Sequence, residues 1–361
     1  MVLVPVVVHT GNPGSPSAEA IAFRQGKVLL VGALPQVLRE AGPGAIVERL
    51  PQAVIVPGLA DPRADLVGLG ASLARAEGAP ASVPLTPEQQ RYRLKLALER
   101  TAALGLTSVH QVGIDLETFS LLQQWDAVGV LPIRVAALAD GAGASWSEYV
   151  GRGRFEGRRL KLGAVSLPVD GPSALAPALL EQRARAFAEA GFVLELEASG
   201  AAAVSTSLDL LQRLEREHTG LRSRIAPAAT VGAADVSRCS GRSVTVLAEA
   251  PSSGGLWARL TTAGAHLALS GLTAPLETLA SARGQAPPSL SGTQVLEAMT
   301  SQAAWAERAE DRRGQLAPGY DADMTVLSAD PLTATPAELR AARVLMTMVA
   351  GVDVYRAPEL R

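Results

Sequence analysis

Cysteine, histidine, aromatic residues and net charge are all scarce in this chain, and each scarcity excludes something. The single cysteine, Cys239, rules out an internal disulfide and fits a reducing compartment. Aromatic residues make up only 4% of the 361 residues, so the core must be built from Ala, Val and Leu. The 33 basic and 35 acidic residues nearly cancel, leaving a net charge of −2. No strong field is available to draw in nucleic acid or an anionic membrane. No apolar run approaches the ~18 residues that a membrane span requires. Met1–Val8 is too short for the apolar part of a signal peptide and has no basic stretch before it. It reads as a first β-strand. A soluble, cytoplasmic protein with no nucleic-acid and no membrane partner is expected.

Familiar catalytic signatures are missing too. There is no G-x-S-x-G elbow, no P-loop and no G-x-G-x-x-G. Cys239 lies in Ser237-Arg238-Cys239-Ser240-Gly241 with no histidine close in sequence, which reads as a buried or incidental thiol. The basic run Arg152, Arg154, Arg158, Arg159 and Lys161 lies among glycines and reads as a solvated loop.

What is present is a globular composition, 48% hydrophobic, long enough for one large domain and one small one. The first 50 residues read as strands and turns, with Gln25-Gly26 as a hairpin signal and a short helix over 35–41. Strand candidates then follow at Val54–Leu59, Ser108–Val112, Ile133–Leu138, Leu162–Leu167, Phe192–Ala198, Arg224–Ile225, Ser243–Leu247 and His266–Ser270. Thr86-Pro87-Glu88-Gln89 is a capping box that starts a helix reaching about Ala103. Ser291 and Gln294 form a second box, before a helix reaching about Trp305. Strands alternating with helices suit a (β/α)₈ barrel, and a doubly wound sheet would give the same local pattern. After Asp323 the chain returns to strand character.

Several segments together resemble the amidohydrolase superfamily. The opening segment carries His9-Thr10-Gly11 and Gly26-Lys27-Val28-Leu29-Leu30-Val31-Gly32. Pro57-Gly58-Leu59 is similar to the approach to barrel strand 1, and Gly105-Leu106-Thr107-Ser108-Val109-His110 to the second strand. The run from Gly314 to Asp323, with Asp330-Pro331-Leu332 after it, is similar to the family's closing motif. Within the family these motifs resemble the branch that includes N-substituted formamide deformylase-like proteins. The resemblance implies an α/β fold, a (β/α)₈ TIM barrel over 54–313. It also implies a small β-sandwich domain formed by both termini, 1–53 plus 314–361.

The resemblance also implies a metal site, and here the chain departs from it. Family ligands follow the ends of strands 1, 4, 5, 6 and 8. The corresponding residues are Arg63 and Asp65, Ser166, Glu197, Pro227, and Leu272 or Thr273. Arg offers donors and no lone pair, so it cannot ligate a cation. None of the four histidines (His9, His110, His218, His266) falls at a ligand position, and only His110 lies near a strand end facing the mouth. The expectation is therefore a hydrolase fold with its metal-dependent site lost and no cofactor. Such a pseudoenzyme would bind a small molecule at the barrel mouth, a protein partner or a second copy of itself. The alternative is a hydrolase of non-peptide C–N bonds with a metal-free site, for which His110, Asp65 and Glu197 are the weak catalytic candidates. Asp61, Asp140, Asp170 and Glu249 are further carboxylates expected near the mouth. Arg63 is expected to pair with Glu197, Asp65 or both, an ionic plug where the family has a metal.

Overall fold

At Gly58 the chain passes from one sheet to another. The computed structural model describes residues 1–78, 85–240, 244–249, 255–284 and 289–360. Before Gly58 lie β1 (Val2–His9), β2 (Ser17–Ala18), β3 (Ala20–Arg24), β4 (Lys27–Gly32) and β5 (Val47–Pro57). After it come β6 (Leu59–Ala64), β7 (Leu106–Ile114), β8 (Arg134–Asp140), β9 (Phe155–Glu156) and β10 (Leu160–Pro168). Next are β11 (Val193–Glu197), β12 (Ser223–Ala226), β13 (Val244–Glu249) and β14 (His266–Ser270). The last strands are β15 (Met324–Leu327), β16 (Val344–Val349) and β17 (Val352–Arg356). Glycine is required at 58 by close packing: a Cβ there would lie 2.2 Å from Thr107 Oγ1.

The first and last strands share one mixed sheet, ordered β17-β16-β15-β5-β1-β3-β4. Its β4 edge folds back onto the segment that leads into β15. Val28 N–H donates to Tyr320 O and Ala322 N–H to Gly26 O, each at 2.9 Å. This mixed sheet, built from both termini, is the small β-domain that was expected beside the barrel. The expected first barrel strand, Val54–Leu59, is corrected. Residues up to Pro57 pair with β1 and β15 in the terminal sheet, and the barrel strand begins only at Leu59.

The second sheet runs β14-β13-β12-β11-β10-β8-β7-β6, every neighbouring pair parallel. With helices between the strands this is an eight-stranded, near-closed (β/α)₈ barrel, and the doubly wound alternative falls away. The strand expected from Ser243 is seen from Val244; Ser243 and Gly241 lie outside the described residues. Thr86 caps the helix Pro87–Ala103 with both bonds of the box in place. Ser291 does the same for Gly292–Ala298, but that helix stops short of Trp305 and a separate one spans Ser301–Ala306. The interruption frees the Met299 carbonyl to accept from Ala60 N–H of β6 at 2.8 Å. Leu, Val and Ala supply most of the core between barrel and helices, with few rings such as Phe187 and Phe192.

Arg134 of β8 joins the barrel to the terminal sheet. Its guanidinium grips Asp323 through two bonds of 2.6 and 3.1 Å and lies 3.1 Å from Asp321. Asp323 also accepts from Ala350 N–H. Arg159, expected in a solvated loop, is half-buried and donates to the carbonyls of Leu131, Pro132 and Val349. It is a second fastening between the two sheets. Among the described residues no helix is long and apolar enough to cross a membrane.

The barrel closes between β6 and β14 without a backbone ladder, and a side chain does the joining. Asp61, fully buried on β6, accepts from Gly271 N–H at 2.6 Å and from Arg63 N–H at 2.7 Å, and Ser270 Oγ lies 3.1 Å from both of its oxygens. Burial outweighs these donors and pushes its carboxyl from 3.8 up to about 6. The folded state therefore holds this proton more tightly than the unfolded chain does. Asp61's contribution is fully present below about pH 4 and is lost as the pH rises to about 6, a change of ~3 kcal/mol. Urea melts at half-unit pH steps should show that decline in the native chain and its absence in Asp61→Asn. Equal slopes for the two proteins would contradict it.

Candidate functional site

Strand period places two acids inside the barrel. On β11, Leu194 and Leu196 belong to the apolar layer under the helices. Side chains alternate along a strand, so Glu195 and Glu197 point the other way, toward the barrel axis. The same alternation turns Arg224 of β12 and His110 of β7 inward. Where such interiors are ordinarily filled by branched apolar side chains, this one holds charge.

The charges form a column. At the mouth, Arg63 at the end of β6 donates from Nη2 to Glu197 Oε1 at 3.0 Å. Its Nε lies 3.6 Å from Glu195, and its Nη1 lies 3.7 Å from Glu249 on β13. Ser166 Oγ donates to the same Glu197 oxygen at 2.6 Å. One level down, Glu195 lies between Arg63 and Arg224, whose Nε is 3.4 Å away. Arg224 Nη1 then meets His110 Nδ1 at 2.7 Å. Below that, His110 Nε2 faces Glu307 at 3.8 Å, and Glu307 pairs with Arg313 at 3.1 Å at the barrel floor.

Two consequences follow from elementary donor and acceptor counting. A guanidinium only donates, so the His110 Nδ1 must accept, and the ring proton sits on Nε2. Burial, then the positive charges of Arg224, Arg313 and Lys161, hold the His110 pKa well below its usual value. The ring is neutral, its lone pair is taken, and it is fully buried. It was expected near the mouth; it lies mid-strand inside the barrel because β7 continues to Ile114 beyond it. Glu195 is fully buried, and neither of its carboxylate oxygens has a hydrogen-bond partner. Burial pushes its carboxyl upward, opposed first by Arg224 and then by Arg63. Two guanidinium groups are what offset the cost of placing this charge in a dry interior.

The other expected site residues scatter. Asp65 does not reach Arg63; it is the N-cap of the helix Leu66–Ala76 and accepts from Gly68 N–H at 2.8 Å. Asp140 accepts from Ala142 and Gly143 N–H in its own turn. Asp170 accepts from Ser199 and Gly200 N–H, at the start of the helix Ala201–Glu217. Pro227 follows β12 and supplies no donor or acceptor side chain. Leu272 and Thr273 line a cavity of about 600 Å³ at the mouth, shared with Arg63, Glu249, Ser270 and Thr278. His9 pairs with Asp330 at 2.9 Å, and His266 stacks on Trp305 at the barrel's lower end.

Glu195, Arg224 and Glu307 were not foreseen as members of this cluster. For the first two a signal existed. Glu195 is a charged residue in an apolar strand, two positions before Glu197 and thus on the same face. Arg224 opens an otherwise small, apolar strand. Glu307 follows a helix, and nothing local marks it.

A metal does not fit these donors. Of the residues at the family's ligand positions on the strand ends, only Glu197 offers a suitable oxygen to the barrel axis, and Arg63 and Ser166 already share it. A divalent cation there would stand against a fixed guanidinium. Among the described residues no three His, Cys, Asp or Glu side chains converge to hold a metal ion.

The pairing of Arg63 and Glu197 is open to measurement. With both partly buried, Arg63→Ala should cost ~2–3 kcal/mol, because Glu195 and Glu197 lose a shared partner. Denaturant melts of Arg63→Ala, Glu197→Gln and the double variant should be non-additive by more than ~0.5 kcal/mol. Additive losses would mean the two side chains do not interact.

The comparisons fit this architecture. A family model described as "Amidohydrolase family" matches residues 257–355, from the last barrel helices into β17. YtcJ of Bacillus subtilis (strain 168), assigned by name to the amidohydrolases, is 48% identical over 46 residues, 13% of this chain and 9% of that protein. Among solved structures, a metal-dependent hydrolase from Pyrococcus furiosus superposes with TM-score 0.78 at 17% identity, covering 92% of this chain and 99% of that one. An adenosine deaminase from Xanthomonas campestris with bound zinc gives 0.75 at 17%, covering 98% and 92%. Molinate hydrolase gives 0.73 at 12%, covering 98% and 94%. At such identities the likeness speaks for the fold alone. The matched C-terminal segment and this likeness of fold are what the chain shares with amidohydrolases and metal-dependent hydrolases.

Proposed function

We propose that this chain has lost the metal-dependent hydrolase chemistry of its superfamily and acts as a binding protein that takes a small molecule at the barrel mouth. The observation that carries this reading is Arg63. A permanent organic cation, bonded to Glu197 and flanked by Glu195 and Glu249, sits where the family resemblance calls for a metal ligand. Metal-assisted hydrolysis draws its nucleophile from a cation-bound water. A guanidinium offers charge but no coordination site for that water.

The rival reading, a metal-free hydrolase of non-peptide C–N bonds, needs a general base. His110 has its lone pair engaged by Arg224, Asp65 caps a helix, and Glu197 holds two donors on one oxygen. None of the three stands ready to take a proton from water. The opening and closing motifs support placing the chain nearest the N-substituted formamide deformylase-like branch.

Elemental analysis of the purified chain should find well under one equivalent of zinc, manganese or iron, and a chelator should leave its melting temperature unchanged. Formamides, hydantoins and acyl-amino acids should not be hydrolysed. One tightly held equivalent of transition metal, or a chelator-sensitive amidase that follows the chain through purification, would overturn the proposal. Light scattering would separately report whether the chain pairs with itself.

A further inference from the structure

The mouth cavity carries more negative charge than its one guanidinium can answer, and the surplus has an outlet. Arg63 on its wall is met by three carboxylates. Two are committed inward: Glu197 is bonded to Arg63 and Ser166, and Glu195 is fully buried against Arg224. The third, Glu249, is different. Its side chain is 53% exposed, and its contact with Arg63, at 3.7 Å, is too long for a hydrogen bond. The other acids of the cavity wall are occupied: Asp65 caps a helix, and Glu277 is bonded to Arg340 and Ser281. Glu249 is therefore the acid with capacity to spare among the described residues of this wall.

We propose that the mouth cavity is a receptor for a small organic cation, a primary ammonium on an apolar body, read by Glu249. This rests on the binding reading above and names its ligand class. Volume agrees, since about 600 Å³ lies within the range of small-molecule sites. Chemistry agrees as well. Leu272 and Val112 offer an apolar wall, and Thr273 adds a hydroxyl group to the lining. An ammonium donates three hydrogen bonds, and a half-exposed carboxylate can turn to accept one. A compact divalent ion would need several oxygens at once and would face Arg63, whereas an ammonium needs one carboxylate and tolerates the distance. A ligand anion at this wall would meet Glu249 beside an Arg63 already bonded to Glu197.

The test is calorimetric titration of the full chain with three probes of one shape: 2-phenylethylammonium, 2-phenylethanol and 3-phenylpropionate. The ammonium should bind, the alcohol at least tenfold more weakly, and the carboxylate not at all. Glu249→Gln should lower ammonium affinity at least tenfold, with an unchanged melting temperature showing that the fold is intact. Preference for the carboxylate, equal binding of ammonium and alcohol, failure of all three to bind, or an undiminished affinity in Glu249→Gln would overturn the proposal. Metal content, measured on the same sample, reports separately on the loss of hydrolase chemistry.

Discussion

The buried alternation of guanidinium and carboxylate along the barrel axis is the constraint around which the interior of this protein is arranged. An isolated Glu195 could not remain ionised in a dry core, nor could Arg224 be housed there alone. Each makes the other tolerable, and Arg63 and His110 extend the sequence to mouth and floor. Such a column does not by itself make the fold more stable than an apolar core would. It does make the residues interdependent, because removing one strands a neighbour.

Stability comes from elsewhere. The layer between strands and helices is made of Leu, Val and Ala, and nearly all of it is buried. Two fastenings hold that barrel to the terminal sheet: Arg134 on Asp323 and Arg159 on the Val349 carbonyl. A third polar device, Asp61, closes the barrel where β6 and β14 have no ladder. In each case one side chain with several bonding positions spans a gap that backbone hydrogen bonds leave open.

The mouth keeps the shape of the fold and carries a donor set of its own. Strand ends still converge, and a cavity still opens among the loops, as the barrel geometry requires. What differs is the donor set. Arginine in place of a ligand removes a lone pair and adds a charge. The surrounding acids are consistent with that change, since Glu195, Glu197 and Glu249 all lie within reach of the guanidinium. A fold of this kind does not decide activity; the side chains at its strand ends do.

Much was legible in the sequence. Pro57-Gly58-Leu59 and the run to Asp323 carried the two-sheet plan, because turn glycines and closing acids have local signatures. The capping boxes at Thr86 and Ser291 fixed where helices begin, although not that the second would break at Met299 to serve β6. Arg63 stood out at a position where the resemblance implies a ligand, since no context gives an arginine a lone pair. Partnership was another matter. Whether Arg63 would meet Glu197 or Asp65 depended on where β6 ended, and the helix that starts at Leu66 takes Asp65 as its cap. His110 looked like a mouth residue until the length of β7 placed it in the interior. Arg224 and Glu307 lie 114 and 197 residues beyond His110 and meet it only because parallel strands and the helix after β14 bring them to one axis. The sequence by itself determined which charges exist and which strands carry them. Only the tertiary structure decided which of them face each other, because side-chain alternation is local while the closure of a barrel is not.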